Sequence, residues 1–333
     1  MAEDPCFAEV QRAADVVRRT LPATPLQAHP LLDRAVEEQT RVAVLVKHEN
    51  VQPTGAFKVR GGVHLAATLT DAERSAGVLT CSTGNHAQSV AYGARLAGVP
   101  ATIVMPTSAP VGKRDAVAAL GAEVVISGDS LGEAGSAARA LAERRGASFI
   151  CPTDRRIVLG HATAYLELFA QATELGADVG AVYVPIGSGT GAAGACVVRD
   201  ALAPSCRVVG VQSAAAPAGW RSWRSGTIAT AAATTRASGL ATTTGYPLPQ
   251  RMLAGHLDDF VLVTDDQIDA AARLLATTAH TLAEGAGAAA LAGLLAAPPP
   301  VERGGPGAPD GVVAVMCTGG NASADEIARL AAA

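Results

Sequence analysis

The chain has 333 residues, 49% of them hydrophobic and 17% charged, with a formal net charge of −4. That length buries a sizeable core in one large or two ordinary domains, and the mildly negative balance offers no basic footprint for nucleic acid and no polybasic membrane patch. Six cysteines without a C-x-x-C pair, and an acidic Met1-Ala2-Glu3-Asp4 start without an apolar segment, predict reduced buried thiols and a cytoplasmic location. The uncharged run 179–198 reaches membrane-span length, but its five glycines and Pro185 mark it as buried core.

In chain order, apolar spacing predicts a helix over 8–20, an extended piece at Thr24-Pro25-Leu26 and a strand over 42–46. A Pro/Thr/Gly turn, Gln52-Pro53-Thr54-Gly55, leads into a helix over 58–69. A regular alternation follows: strand 78–81, helix 85–97, strand 101–105, helix 111–120, strand 123–126, helix 131–144 and strand 148–151. A second series has helix 158–174, strand 181–186, a glycine loop, helix 191–202 and strand 207–212. The stretch 214–257, rich in Ala, Thr, Gly and Ser, lacks periodicity and reads as a mobile, substrate-facing loop. Strand 260–263 then meets a capping box, Thr264-Asp265-Asp266-Gln267, opening a helix over 266–282. A small-residue helix over 286–296, a Pro/Gly-rich loop over 298–310 and a strand over 312–316 complete the chain. Short strands alternating with helices of a dozen residues predict an α/β fold with parallel sheets and crossover helices.

Four motifs carry chemistry. Only three lysines, Lys47, Lys58 and Lys113, stand against 23 arginines, so a lysine suggests need of an amine that can lose its proton. Lys58 follows the Pro/Thr/Gly turn at a helix start. Lys113, beside Arg114 and Asp115, reads as a solvated charge, and Lys47 as an exposed strand end. Ser82-Thr83-Gly84-Asn85-His86 lies between a strand and a helix, where amides and hydroxyls attract an anion; taken alone, an ordinary N-cap is the favoured reading. Gly187-Ser188-Gly189-Thr190-Gly191 occupies another strand-to-helix turn suited to a phosphate, without the lysine or acid of nucleotide fingerprints. Thr318-Gly319-Gly320-Asn321 ends the last strand, and Glu284 stands at a helix junction, where a cap is the simplest reading.

In this order the motifs, from Thr24 to Asn321, resemble those of the fold-type-II pyridoxal-phosphate enzymes, the family of threonine and serine dehydratases and serine racemase. The resemblance implies two domains, each an open, mostly parallel twisted sheet flanked by helices as in tryptophan synthase β. The larger would comprise 1–66 and 155–333, the smaller 67–154. It implies pyridoxal 5′-phosphate as cofactor, with Lys58 as its covalent anchor and the base at the substrate α-carbon. Phe57, Asn85, Gly187, Ser188, Gly189, Thr190, Gly191, Glu284 and Thr318 would hold the cofactor. Asn85 would meet its 3′-hydroxyl and Thr318 its ring nitrogen. Ser82, Thr83, Gly84, Asn85, His86 and Gly239 would hold an amino-acid substrate, His86 as a structural loop residue. The reaction implied is elimination from a β-hydroxy amino acid such as threonine or serine, giving a 2-oxo acid and ammonia, in a homodimer. β-Replacement, racemisation and a non-catalytic binding role remain alternatives.

The chain departs from the family at several positions. Ser188 and Thr190 replace two of four glycines, so their hydroxyls would join the phosphate contacts or narrow the loop. Gln212 and Ala218 stand where a glutamate and an aspartate hold a divalent cation, so no metal site is expected. Thr83 replaces the racemases' serine, which disfavours racemisation. Ser238, in Arg236-Ala237-Ser238-Gly239, replaces an acid near the substrate's β-carbon.

Overall fold

The computed structural model describes residues 4–300 and 311–332. Its strands are β1 (Leu26–Gln27), β2 (Ala43–His48), β3 (Val78–Cys81), β4 (Ala101–Met105), β5 (Glu123–Ile126), β6 (Ser148–Phe149), β7 (Val179–Pro185), β8 (Arg207–Ser213), β9 (Asp259–Val263) and β10 (Val312–Cys317). Its helices are α1 (Phe7–Arg18), α2 (Pro30–Thr40), α3 (Lys58–Ala67), α4 (Asp71–Ala76), α5 (Asn85–Ala97), α6 (Val111–Ala119), α7 (Leu131–Arg145), α8 (Arg155–Glu174), α9 (Thr190–Leu202), α10 (Ala218–Ser225), α11 (Pro247–Leu253), α12 (Asp265–Thr278), α13 (Gly285–Ala296) and α14 (Ala324–Ala331).

The strands form two sheets, ordered β1-β2-β10-β7-β8-β9 and β5-β4-β3-β6. Every pairing is parallel except the short β1 edge against β2. The larger sheet buries one face under α2, α12 and α13 and the other under α1, α8 and α9. Its strands are therefore apolar on both faces, which is why β2 and β7 read as continuous valine-rich runs. The smaller sheet is sandwiched between α5 and α6 on one side and α7 on the other.

Several boundaries differ from expectation. Helix α8 starts three residues early because Asp154 caps it, accepting from Arg156 N at 2.8 Å. Helix α12 stops at Thr278 rather than 282, since His280 takes a positive φ of 51° and Thr281 N returns to Leu275 O at 3.1 Å. Helices α2, α4 and α14, and α10 and α11 within the supposed loop 214–257, are all absent from the expected elements. The last two are short, and their sequences, AGWRSWRS and PLPQRML, carry no long apolar period. Of the cysteines, only Cys196, Cys206 and Cys317 are buried; Cys6 is exposed, Cys81 and Cys151 are half-buried, and all are free. Among the described residues no helix is long and apolar enough to cross a membrane, and 179–198 folds as β7, a loop and most of α9. Within the expected loop over 298–310, residues 301–310 lie outside the described residues, as do residues 1–3 of the acidic start.

The two sheets meet through α3 and α5, whose backbones cross in close contact. A Cβ on Gly62 would lie 1.9 Å from Ser89 O, and one on Gly93 would lie 2.2 Å from Gly62 O. Ser89 Oγ also accepts from Gly62 N at 3.0 Å and donates to Lys58 O. Since both clashing groups are backbone, neither can rotate away. Gly62→Ala should therefore destabilise the protein by about 2 kcal/mol or more in urea denaturation, whereas a methyl at Gly135, which has open space, should be tolerated.

Candidate active site

The C-terminal ends of β2, β7, β10 and β3 converge on a cavity of about 760 Å³, where parallel α/β sheets place their ligands. Lys58 is the first residue of α3. The turn before it is tied to the end of β10: Phe57 N donates to Thr318 O and Gly320 N to Gly55 O, both at 2.9 Å. Gly55 has φ 68°, and a Cβ there would lie 2.4 Å from Asn321 Oδ1, so glycine is required on both counts. The Lys58 amine donates to Thr190 Oγ1 at 3.3 Å and lies 4.9 Å from the centroid of the Phe57 ring. Among the described residues no carboxylate pairs with it. Burial alone draws its pKa down to about 8.

Lys47, expected at an exposed strand end, is fully buried instead. Its amine donates to Thr24 O, Glu167 Oε2 and Gln171 Oε1 at 2.7, 3.1 and 2.8 Å. Lys113, expected to be a solvated helix-start charge, is half-buried in the cavity wall.

The glycine loop presents its backbone to the cavity. No protein acceptor takes the N–H groups of Gly187, Ser188, Gly189 or Thr190 among the described residues. They stand at the start of a 13-residue helix with no acid in its first turn. Gly189 has φ 89°, and a Cβ on Gly187 would meet Gly239 O at 2.4 Å. Four unpaired amides at a helix N-terminus are a donor set for a phosphate dianion. Thr190 itself is 1% exposed, and its hydroxyl engages Lys58 and, at 3.0 Å, His161 Nδ1. Burial first, then the nearby Lys58 charge, holds His161 neutral, far below its ordinary range.

Asn85 joins the two halves of the site. Its Nδ2 donates to Glu284 Oε1 at 2.6 Å, and its Oδ1 accepts from Asn321 Nδ2 at 2.8 Å; Asn321 also reaches Thr54 O at 2.8 Å. Glu284 sits at the N-cap position of α13, but its side chain does not cap the helix. Burial raises its carboxyl to about 7. Thr318 Oγ1 donates to Ala286 O at 3.2 Å. Ser82, Thr83 and Gly84 line the cavity half-exposed, with Ser82 Oγ accepting from Gly84 N at 3.2 Å. His86 is buried, 3.1 Å from Thr80 Oγ1, with its pKa pushed to about 3 chiefly by burial, a structural placement. Gly239 and Ser238 line the opposite wall, while Arg236 turns away to Asp266 and Asp269.

The stretch 214–257 is therefore substrate-facing only in part, at 238–246. Gln212 and Ala218 are both buried away from the cavity, and Gln212 Oε1 accepts from Trp220 N at 2.9 Å to anchor α10. Sequence reasoning missed His161, Tyr246 and Arg139 as neighbours of the site. Arg139 projects from α7 over the Phe149 ring at 4.3 Å, a contact with no sequence signal.

A desolvated lysine between an unsatisfied amide loop and a hydroxyl-rich loop, at the C-terminal edge of a parallel sheet, defines a site for pyridoxal phosphate. The chain belongs to the family of pyridoxal-phosphate dependent enzymes, which it matches over residues 17–319. It is 36% identical over 262 residues to an L-threonine ammonia-lyase of Thermotoga maritima, covering 78% of this chain and 64% of that one. It therefore spans less than two thirds of that relative's length. It is also 36% identical to a catabolic L-threonine dehydratase of Escherichia coli K12, covering 78% of each chain. A threonine deaminase structure from T.th. superposes with a TM-score of 0.86 at 34% identity, covering 96% of this chain and 99% of that one.

Because Glu284 keeps its proton to about pH 7 when folded but only to about 4.5 when unfolded, the unfolded state binds fewer protons across that window. Stability from this group therefore falls as pH rises from 4.5 to 7 and is level above. Glu284→Gln removes the effect, so apo variant minus apo wild-type stability should climb by up to about 3 kcal/mol over this window. Urea titrations at a series of pH values check it.

Proposed function

We propose that the chain is a pyridoxal-phosphate-dependent ammonia-lyase that removes the β-hydroxyl of a β-hydroxy amino acid, L-threonine or L-serine, yielding a 2-oxo acid and ammonia. The observation that carries this reading is the Lys58 amine: buried, unpaired with any carboxylate among the described residues, and depressed to about 8 beside the amide loop. The relatives named for threonine elimination support the substrate class.

The bound cofactor supplies an aldehyde that captures an amine and a conjugated ring that draws electrons from the substrate α-carbon. The amides of 187–190 would hold its phosphate, and Phe57, Asn85 and Glu284 would hold its ring. Thr318 would offer its ring nitrogen a neutral hydroxyl, which could not keep a proton there as a carboxylate would. Ser82, Thr83 and the amides opening α5 seat the substrate carboxylate. Lys58, with a pKa near the working pH, takes the α-proton at its Nζ, and Thr190 Oγ1 steers that atom. The β-hydroxyl leaves as water. The two sheets support a division into 1–66 with 155–333 and 67–154, since β3 to β6 all fall in the latter. A cytoplasmic homodimer completes the reading.

Borohydride reduction of the cofactor-loaded protein followed by peptide mapping should find the cofactor on Lys58 and on neither Lys47 nor Lys113. Lys58→Ala should abolish 2-oxo acid release. Label at another lysine, or turnover by the variant, sinks the assignment. Thr190→Val removes an acceptor that favours the charged amine. The rate at which apo protein captures cofactor should rise with pH to a plateau above about 8 in wild type, and the variant's midpoint should move to lower pH.

A further inference from the structure

The proposed reaction leaves one buried titratable group beside the amine without a role. His161, in the middle of α8, has no exposed surface. It is not part of the cavity lining, whereas its hydrogen-bond partner Thr190 is. Packing fixes its ring, since the Phe57 ring lies 4.6 Å away between centroids and α3 presses on the far edge.

Thr190 Oγ1 has three polar neighbours: His161 Nδ1 at 3.0 Å, Lys58 Nζ at 3.3 Å and Ser188 Oγ at 3.4 Å. A hydroxyl has one hydrogen to give and two lone pairs with which to accept. Which neighbour takes that hydrogen decides what the lysine can do. A neutral amine has a single lone pair, and that pair is what attacks an aldehyde or takes a proton from carbon. A hydrogen given to Nζ would occupy the pair. Given to His161 instead, it leaves Oγ1 able only to accept from Nζ, and the pair stays free.

The ring's surroundings bear on where its own proton sits. Nε2 makes no hydrogen bond of ordinary geometry among the described residues, yet it faces α3: a Cβ on Gly61 would lie 2.7 Å from it. The Lys58 carbonyl favours a proton on this ring. With Nδ1 engaged by the hydroxyl, that proton belongs on Nε2, because the bond made by one ring nitrogen sets the state of the other. We propose that His161, protonated at Nε2, is a positioning residue whose Nδ1 takes the Thr190 hydrogen, so that Lys58 keeps its lone pair free for the cofactor aldehyde and the substrate α-proton. The proton taken from the α-carbon becomes a new N–H on Nζ, the electrons of the broken bond stay with the substrate, and Oγ1 accepts from Nζ throughout. His161 changes charge at no stage. Burial, then the neighbouring Lys58 and His86, hold it neutral, and His86 on α5 is kept neutral chiefly by its own burial. This inference rests on Lys58 as cofactor anchor and base, and adds what keeps that amine reactive.

The test measures capture of pyridoxal phosphate by the apo protein against pH. In parallel, formaldehyde and cyanoborohydride methylate Lys58, read by peptide mass. His161→Phe keeps a ring but offers no acceptor, so the amine becomes the strongest acceptor left to the hydroxyl. The plateau rate of both reactions above about pH 8 should then fall about fivefold, the worth of one neutral hydrogen bond that must break first. Adding Thr190→Val removes the obstructing hydroxyl, so the double variant should react faster than His161→Phe, near the rate of Thr190→Val alone. Damage from repacking would make it slower. His161→Asn, whose Oδ1 can stand in for Nδ1, should keep most of the wild-type rate. In turnover, His161→Phe should lower kcat and leave KM nearly unchanged, because the ring does not touch the cavity. His161→Leu carries the same expectations where the phenylalanine variant does not fold. A plateau equal to wild type in His161→Phe, a double variant no faster than it, or an asparagine variant as slow, overturns the proposal. If wild type captures no cofactor on Lys58, the anchor reading fails separately. Methylation then still decides: the same order of rates supports the role of His161, and equal rates overturn it.

Discussion

The rest of the site depends on where Arg60 is held. It has no exposed surface, and it is anchored to two carboxylates at once: Glu49 through Nε and Nη2 at 2.7 and 2.8 Å, and Glu167 through Nη1 and Nη2 at 2.8 and 2.6 Å. Lys47 adds a second cation to Glu167, and Thr24 donates to Glu49 at 2.6 Å. Two cations and two carboxylates are thus desolvated together with nearly every polar atom satisfied, the only arrangement in which such burial is tolerable. The network joins β2, the segment after it, α3 and α8. Arg60 is two residues beyond Lys58, so the cluster fixes the origin of α3 while Lys58 emerges on another side of the same turn. Desolvation acts on both neighbours with opposite outcomes. Arg60 is compensated and stays charged; Lys58 is not, and its pKa falls to about 8.

That contrast also marks how far sequence could reach. Scarcity of lysine singled out three positions and the turn around Lys58 selected one, but the same argument misread Lys47. Its amine serves as a three-donor hub in a buried ion network, a role fixed by Glu167 and Gln171 more than a hundred residues away along the chain. The parallel sheets, the alternation of strands and helices along the chain and all four loops at strand ends were legible, because each rests on local period and turn chemistry. What escaped depends on tertiary neighbours: short helices such as α10 and α11, the early stop of α12, and the cavity faces of α6, α7 and α8. Thr190 illustrates the limit within a correctly read motif. Its position at the loop was evident, but only its 1% exposure and the proximity of His161 show that the hydroxyl turns toward the lysine.

Asn85 explains why two separately built sheets form one site. It opens α5 on the smaller sheet, yet its amide is shared between Glu284 at α13 and Asn321 after β10, both on the larger one. Asn321 in turn holds Thr54 O, within the turn that delivers Lys58. A displacement of the smaller sheet therefore tugs on the lysine turn through two hydrogen bonds, and the glycine-packed crossing of α3 and α5 transmits the same motion through backbone contact. The loop expected to seat the substrate carboxylate is the start of α5, so the same two hydrogen bonds connect that seat to the turn that carries Lys58.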